Sequence, residues 1–427
     1  MRRTFALLVG VGLSLSLGAA GIAAMGGGAD APPQVTGLRS AEQQPVEKAK
    51  ANEKAAVRVP VKKAERPGVV WDRGAEEAGR VETTSTTLGY LDAQRQATFR
   101  YPGAEYVKLH FTRVLMLPGD YLTVSTPDGT ESHRYDGNDA EGTWSMSVTG
   151  DTARMELHAG PLDLLGLGAT IASLGVTVDK VARGFTREER AAKSEADRAR
   201  KSQGREESVC GSDTKADAVC FRTTDPVLYT RSKAVVRLLI DGTELCTAWR
   251  VGVNNRLLTN HHCLETSAQA AQTEVWFNYQ CAQCGGYDVF RPTKVWASEV
   301  LATDATLDFT LFSVENFPLV QHYGYLSLDV RAPQVGELLY VPQHPSGAPA
   351  AITVDEGNGN CQIIDASYDG YAKDTDASYY CDTEGGSSGS PVLSRVTNRV
   401  IALHHFGGCP NSGVRIDRIY PKISTLL

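Results

Sequence analysis

The chain has 427 residues, a formal net charge of −7 and a hydrophobic fraction of 42%. This length favours more than one folded domain, and the hydrophobic fraction is large enough for each domain to have a packed core. The mild acidity and the lack of a basic stripe argue against nucleic acid as a partner.

Residues 1–24 have the pattern of a secretory signal peptide. Arg2 and Arg3 precede an apolar run from Phe5 to Leu17, and small residues end the segment. An uncleaved anchor helix is the alternative, but the apolar run is short and interrupted by glycines. We therefore expect a secreted protein that is not bound to a membrane after signal removal and that is a monomer.

The next two segments differ in amino-acid composition and in hydrophobic pattern. Residues 25–82 are rich in Ala, Lys, Glu and Pro, which predicts a disordered pro-segment or linker. Residues 83–163 contain short alternating runs such as Val107, Leu109 and Phe111, separated by turns with Gly and Asp. Such runs predict a β-sandwich, for which a carbohydrate- or protein-binding role stays open.

Residues 164–208 are predicted to form a charged connector. A capping-box pattern from Thr186 to Glu189 opens a helix-like run to about Lys201. This run has charge pairs but no apolar stripe, so we expect a solvated helix or a flexible connector. Lys201, Arg205 and the acidic pair at 206–207 make it a candidate processing zone.

All nine cysteines lie in the last predicted domain, residues 209–427. In an exported protein this predicts a disulfide framework. The pair Cys281 and Cys284 has zinc-site spacing, but no second pair matches it. We find no residue pattern that requires a metal or another cofactor.

A serine on a glycine-rich bend, within residues 381–391, is the strongest chemical signal. Gly386 and Gly389 allow sharp turns that leave backbone N–H groups near the Ser388 hydroxyl. Acyl transfer needs a hydroxyl nucleophile and such amides, each of which accelerates the reaction roughly 10²–10³-fold. A Gly/Ser-rich surface turn is the alternative, and two upstream motifs decide against it.

Those motifs supply a histidine and a carboxylate. The adjacent His261 and His262 follow the apolar pair Leu257–Leu258 and precede Cys263, and Asp308 begins a second apolar run. Asp304 is the close rival of Asp308, but it lies in a polar turn. The order His, Asp, Ser is one of the orders in which the serine triad occurs, with the imidazole taking the serine proton and the carboxylate orienting the imidazole.

At these residues the chain resembles the chymotrypsin-like serine proteases. The matching patterns are T-x-x-H-C at 259–263, D-x-x-L from Asp308 and G-x-S-G-x-P at 386–391. The resemblance implies an all-β fold, a chymotrypsin-like double β-barrel, preceded here by the sandwich and the connector. It also implies that the base is His262, directly before the cysteine, and not His261. Asp308 is then the acid and Ser388 the nucleophile, with the N–H groups of Gly386 and Ser388 as the oxyanion hole.

A narrower resemblance implies the disulfide pairing. Residues 275–280 and the following Cys284 look like a segment of the bacterial lysyl endopeptidases. With the disulfide that fastens the histidine loop in the chymotrypsin family, this implies the pairs Cys210–Cys409, Cys220–Cys284 and Cys246–Cys263. Cys361 and Cys381 then remain as a pair, and Cys281 is left over.

Ser387 precedes the nucleophile where the animal enzymes have aspartate. The activation device in which a new N-terminal ammonium pairs with that aspartate is therefore not available to this chain. We expect any latency of a zymogen to come from the pro-region.

Substrate preference is predicted from three residues. Asp382 matches the pocket floor, where an aspartate in trypsin-like enzymes pairs with Lys or Arg of the substrate. The surrounding pattern is also similar to that of the glutamyl endopeptidases, which implies that Thr383 and His405 bind a substrate carboxylate. A charged Asp382 would repel Glu unless it points away or is already paired. We expect a preference for Glu or Asp, with Lys or Arg as the alternative and a packed strand histidine as the other interpretation of His405.

The sequence thus predicts a serine endopeptidase that acts on proteins or peptides. Two alternatives are a catalytically silent binding protein on the same fold and an esterase that uses the same triad.

Overall fold

The computed structural model describes residues 75–92, 95–137, 140–160, 173–201, 209–354 and 361–427. The predicted signal peptide, most of the predicted linker and residues 202–208 of the predicted processing zone lie outside these ranges. No helix within the described ranges is long and apolar enough to cross a membrane.

A β-sandwich occupies residues 79–184. One sheet has the order β2-β10-β4-β7 with β8 also on β4, and the other has the order β3-β9-β5-β6. Alternating residues pack between the sheets, as the predicted period of two requires. Its strands are β2 (Gly79–Gly89), β3 (Gln96–Arg100), β4 (Tyr106–Leu115), β5 (Tyr121–Ser125), β6 (Ser132–Asp136), β7 (Thr143–Trp144), β8 (Val148–Thr149), β9 (Thr152–His158) and β10 (Gly175–Gly184), and a short strand β1 (Glu76–Glu77) precedes them.

The sandwich is longer at both ends than the segment 83–163 predicted for it. Strand β2 begins in the predicted linker, and β10 lies in the predicted connector, where it pairs with β2 and β4. The alternation along β10 is broken by a bulge between Val178 and Lys180, which hides the period of two in the sequence. The connector proper begins after β10.

Helix α1 (Arg187–Lys201) follows the sandwich. Its predicted capping box is confirmed, because Glu189 N donates to Thr186 Oγ1 at 3.2 Å and Thr186 N donates to Glu189 Oε2 at 2.9 Å.

Residues 209–427 form two β-barrels. The first has the order β13-β12-β15-β16-β17-β14 and closes through the β13–β14 pair. In the second, the order β18-β22-β23-β24-β21-β20 closes at a bridge between Leu338 and Gln362. The bounds are β11 (Ala216–Asp217), β12 (Val235–Ile240), β13 (Glu244–Arg250), β14 (Leu257–Thr259), β15 (Glu274–Phe277), β16 (Thr293–Asp304), β17 (Phe309–Val314), β18 (Leu339–Gln343), β19 (Ala351–Val354), β20 (Ile363–Tyr368), β21 (Asp376–Tyr379), β22 (Pro391–Ser394), β23 (Val400–Phe406) and β24 (Asn411–Arg415), with helices α2 (Phe221–Thr224), α3 (Pro226–Ser232), α4 (Ser267–Ala270) and α5 (Ile416–Ile423).

The predicted all-β double barrel is therefore confirmed. An apolar cluster with residues from both barrels lies between them and includes Trp249, Leu311 and Leu403. The four predicted disulfides are present, namely Cys210–Cys409, Cys220–Cys284, Cys246–Cys263 and Cys361–Cys381, and Cys281 is free and buried.

The sandwich packs against the first barrel through buried polar contacts. Glu274 of β15 pairs with Lys108 of β4 at 2.8 Å, and neither side chain is exposed. Tyr106 donates its hydroxyl proton to the carbonyl of Gly242 at 2.8 Å. The first four residues of β4 are thus buried on both faces of the strand, one inside the sandwich and one against the barrel.

Candidate active site

His262 and Asp308 lie together between the barrels. His262 follows β14, Asp308 precedes β17, and the pairing of these two strands brings the residues side by side. His262 Nδ1 is 2.8 Å from Asp308 Oδ2, and His262 N donates to Asp308 Oδ1 at 3.0 Å. The two carboxylate oxygens therefore fix both the ring and the backbone of His262.

The neighbouring histidine and the rival carboxylate point elsewhere. His261 contacts Thr303 Oγ1 through Nδ1 at 2.8 Å. Asp304 accepts two backbone hydrogen bonds and pairs with Lys422 at 3.2 Å. Of the two adjacent histidines, only His262 contacts Asp308.

Asp308 has a second imidazole partner that the sequence did not predict. His405 Nδ1 is 3.1 Å from Asp308 Oδ2, and His405 Nε2 is 2.6 Å from Asp376 Oδ2. Burial raises the pKa of Asp308, but His262 and His405 outweigh it and hold that pKa well below its ordinary value. Burial also opposes protonation of His405, yet Asp376 and Asp308 raise its pKa to about 9.

These contacts correct the prediction that His405 binds a substrate carboxylate. Both ring nitrogens of His405 are engaged by carboxylates, so no ring N–H is left for a third. Instead, His405 contacts Asp308, the same carboxylate that contacts His262. Asp376 was missed because it is remote in sequence and stands at the start of an ordinary-looking strand, β21.

The loop that carries Ser388 passes between the two barrels. Thr247 N of β13 donates to the carbonyl of Ser388 at 2.8 Å, and Gly389 N donates to the carbonyl of His404 at 2.9 Å. Gly389 has φ +90°, and a Cβ there would overlap the carbonyl oxygen of Thr247. The second glycine of the motif is thus required by a close backbone approach as well as by its dihedral angle.

The first glycine and the residue before Ser388 are also held. Gly386 has φ +89°, and its carbonyl accepts from Thr247 Oγ1 at 2.9 Å. Ser387 Oγ donates to Gln343 Oε1 at 2.5 Å. Gln343, which the sequence did not single out, is therefore the hydrogen-bond partner of the residue before Ser388.

Asp382 and Thr383 are buried beside this loop. Asp382 accepts from Cys210 N at 2.8 Å and from Thr214 N and Oγ1 at 2.8 and 2.6 Å. Its carboxylate is therefore directed to the first residues of the barrel domain, which corrects the prediction that it pairs with substrate Lys or Arg. Thr383 Oγ1 has no hydrogen-bond partner among the described residues.

A possible metal cluster near His262 is explained by a disulfide. One ligand atom from each of Cys246, His262 and Cys263 lies within 4.8 Å of the others. The two sulfurs are bonded to each other, so no thiolate ligand is available.

Known proteins are similar to this chain in part of the barrel domain and over most of its length. The trypsin-like peptidase domain matches residues 246–403. Secreted RxLR effector protein 73 of Plasmopara viticola is 32% identical over 327 residues, which cover 73% of this chain and 77% of that protein. The chain thus carries a trypsin-like serine peptidase domain. A peptidase with this domain takes proteins or peptides as substrates.

Other similarities are more distant. The uncharacterized protein y4fB of Sinorhizobium fredii is 27% identical over 192 residues, 41% of this chain and 28% of that protein. Among solved structures, a Glu endopeptidase is 17% identical with a TM-score of 0.37, covering 51% of this chain and 97% of that one. The Rv3671c protease from M. tuberculosis in its active form is 14% identical with a TM-score of 0.37, covering 50% of this chain and 91% of that one.

Proposed function

We propose that the protein is a secreted serine endopeptidase that cleaves peptide bonds through Ser388, His262 and Asp308. The observation that carries the proposal is the contact of His262 Nδ1 with Asp308 Oδ2 at 2.8 Å. This contact holds a proton on Nδ1 and leaves Nε2 with the lone pair that a general base needs. Peptide-bond hydrolysis by a serine needs such an oriented imidazole together with a hydroxyl nucleophile, the role that we assign to Ser388.

In the proposed reaction, His262 takes the proton of Ser388 Oγ as that oxygen attacks the substrate carbonyl carbon. The negative charge that forms on the carbonyl oxygen is stabilised by the N–H groups of Gly386 and Ser388. The imidazolium then gives its proton to the leaving amine, and an acyl-enzyme remains on Ser388. Water, deprotonated by His262, hydrolyses this ester and restores the enzyme.

Secretion is supported by three features. Residues 1–24 have the composition of a signal peptide, and four disulfides are typical of an oxidising compartment. The relative from Plasmopara viticola is named a secreted protein.

For the residue before the scissile bond, we propose Glu or Asp, with Lys or Arg as the alternative. Asp382 is paired with Cys210 and Thr214, which meets the condition for a pocket that admits an acidic side chain. Thr383 has a buried hydroxyl without a partner among the described residues, and it stays the predicted donor to a substrate carboxylate. His405 has no part in this proposal.

The test is digestion of a peptide library in which the residue before each cut is identified by mass spectrometry. We expect cleavage by the wild-type protein and none by Ser388→Ala at the same concentration. Cuts after Glu or Asp support the proposed preference, and cuts after Lys or Arg replace it with the alternative. Turnover of small esters without any peptide cleavage would overturn the endopeptidase.

A further inference from the structure

A short segment before the sandwich pairs with the first barrel, and we call residues 75–78 the arm. Its strand β1 is antiparallel to β13, with Glu76 opposite Leu245 and Glu77 opposite Glu244. Ala78 N donates to the carbonyl of Thr243 at 2.6 Å. The arm therefore adds a strand to the edge of the barrel sheet.

This edge lies beside the serine loop. Two residues after Leu245 on β13, Thr247 holds the carbonyls of both Gly386 and Ser388. The carboxylate of Glu76 lies so close to Gly385 that a side chain at that position would collide with it. The arm thus reaches the residue next to Gly386, whose N–H is one proposed oxyanion donor.

The direction of the arm matters for what it blocks. Residue 77 of the arm pairs with Glu244, and residue 76 pairs with Leu245. The N-terminal end of the arm is therefore the end nearer to Thr247 and Ser388. The arm therefore runs outward from the nucleophile in its N-to-C direction. A substrate bound in the same place and direction would put the residues that follow its scissile bond on β13.

The arm is fastened from its other side by α1. Lys193 forms an ion pair with Glu76, and the two residues line a small groove together with Leu245 and Ser346. Ala78 packs in an apolar cluster with Tyr106 of the sandwich and residues of the first barrel. Barrel, sandwich and helix together hold the arm in place.

We propose that the arm occupies the edge of β13 at Glu244–Leu245 and thereby keeps out substrate residues that follow the scissile bond. This inference rests on the proposed peptidase function. An extended peptide would bind by adding a strand to β13, which the arm already does, so arm and substrate compete. Substrates without residues after the scissile bond do not compete with the arm.

The test compares two substrates with the full-length protein. One is a short ester of the residue preferred in the library, with a small alcohol as leaving group. The other is a peptide that continues for three residues beyond the scissile bond. The measured quantity is the ratio of kcat/KM for the extended peptide to kcat/KM for the ester.

Glu76→Lys places a like charge opposite Lys193, and Glu76→Pro removes a backbone donor from the arm. We expect each variant to raise the ratio at least about tenfold over wild type. Glu188→Lys makes the same charge change at an exposed position of α1 and is expected to leave the ratio within about twofold.

The two proposals fail in different ways. If the ester and the peptide are both hydrolysed but the ratio is the same in wild type and in both Glu76 variants, the arm does not occupy a substrate subsite. If no variant hydrolyses either substrate, the proposed peptidase function fails, and this inference fails with it. Increased amide hydrogen exchange at Leu245 in the Glu76 variants is the expected structural change.

Discussion

Two regions of the molecule contain buried charges. Around Asp308 the charged side chains are His and Asp, whereas between the sandwich and the first barrel they are Lys and Glu. We call His262, Asp308, Asp376 and His405 the histidine–aspartate cluster. Here two imidazoles share the carboxylate of Asp308, and His405 is bridged to a second carboxylate. Imidazole gains and loses protons near neutral pH, so charge in this cluster can change during a reaction.

The interface cluster consists of Lys108, Glu131, Glu274 and Lys294. Glu274 pairs with Lys108 at 2.8 Å, and Lys294 pairs with Glu131 at 2.7 Å. Burial raises the pKa of Glu274, but the two lysines lower it by more, so the carboxylate stays charged. In the proposed mechanism the buried charge of the histidine–aspartate cluster serves catalysis, whereas the Lys–Glu pairs fix the sandwich to the first barrel.

The largest expected effect is in the histidine–aspartate cluster. Asp308→Asn removes the charge that stabilises the His262 imidazolium and the acceptor that holds its proton on Nδ1. We expect kcat for the best library peptide to fall by about 10⁴-fold, with an unchanged far-ultraviolet circular dichroism spectrum. A loss of less than tenfold would remove Asp308 from the proposed mechanism.

In the interface cluster the effect is on stability. Glu274→Ala leaves Lys108 buried without its carboxylate and also removes an acceptor from Ser147. We expect the free energy of unfolding in urea to fall by about 3–5 kcal/mol, while the folded fraction keeps its kcat for the short ester. Glu265→Ala, at an exposed acid of the first barrel, is the control, and an equal loss there would contradict this account.

A smaller effect is expected in how the free energy of unfolding depends on pH, through the protonation of His405. The pKa of His405 is raised to about 9 in the folded protein, against about 6.5 when unfolded, so its protonation stabilises the fold fully below pH 6.5. This stabilisation, at most about 3 kcal/mol, is lost as the pH rises through 9. We expect His405→Gln to flatten the fall in unfolding free energy between pH 7 and 9.5.

The matched control for that pH series is His322→Gln, at an exposed position, which should keep the wild-type slope. A slope in His405→Gln equal to that of wild type would show that His405 is not a protonated bridge.

The smallest effect is expected outside both clusters. Arg134 and Asp136 form an ion pair of 2.6 Å on the sandwich surface, with both side chains more than half exposed. Water and salt screen such a pair, so Asp136→Asn is expected to leave the urea midpoint unchanged. A shift as large as that of Glu274→Ala would mean that burial is not what distinguishes the pairs.

Local patterns were enough to predict much of the fold and part of the site. The disulfide pairs were implied by the resemblance to the chymotrypsin family and the lysyl endopeptidases, and the capping box at Thr186 predicted the start of α1. His262 and Asp308 were placed by motifs that begin or end strands. Their contact follows from the pairing of β14 with β17, which the sequence pattern alone does not contain.

The parts that sequence reasoning missed depend on partners far away in the chain. His405 was assigned to substrate from the resemblance to the glutamyl endopeptidases, and its partner Asp376, 29 positions earlier, carries no motif. Asp382 was assigned to the pocket from its position in the trypsin-like pattern, and its donors Cys210 and Thr214 lie about 170 residues before it. Side chains of this kind acquire their roles only when the barrels close and bring distant strands together.

The central claim is that Ser388 is a nucleophile activated by His262. The most direct measurement is the intact mass of the folded protein after reaction with a fluorophosphonate. We predict the addition of one equivalent at Ser388 in wild type, none in Ser388→Ala and much slower addition in His262→Ala. A folded wild-type chain that takes up no label, or takes it up equally well in Ser388→Ala, would contradict the account.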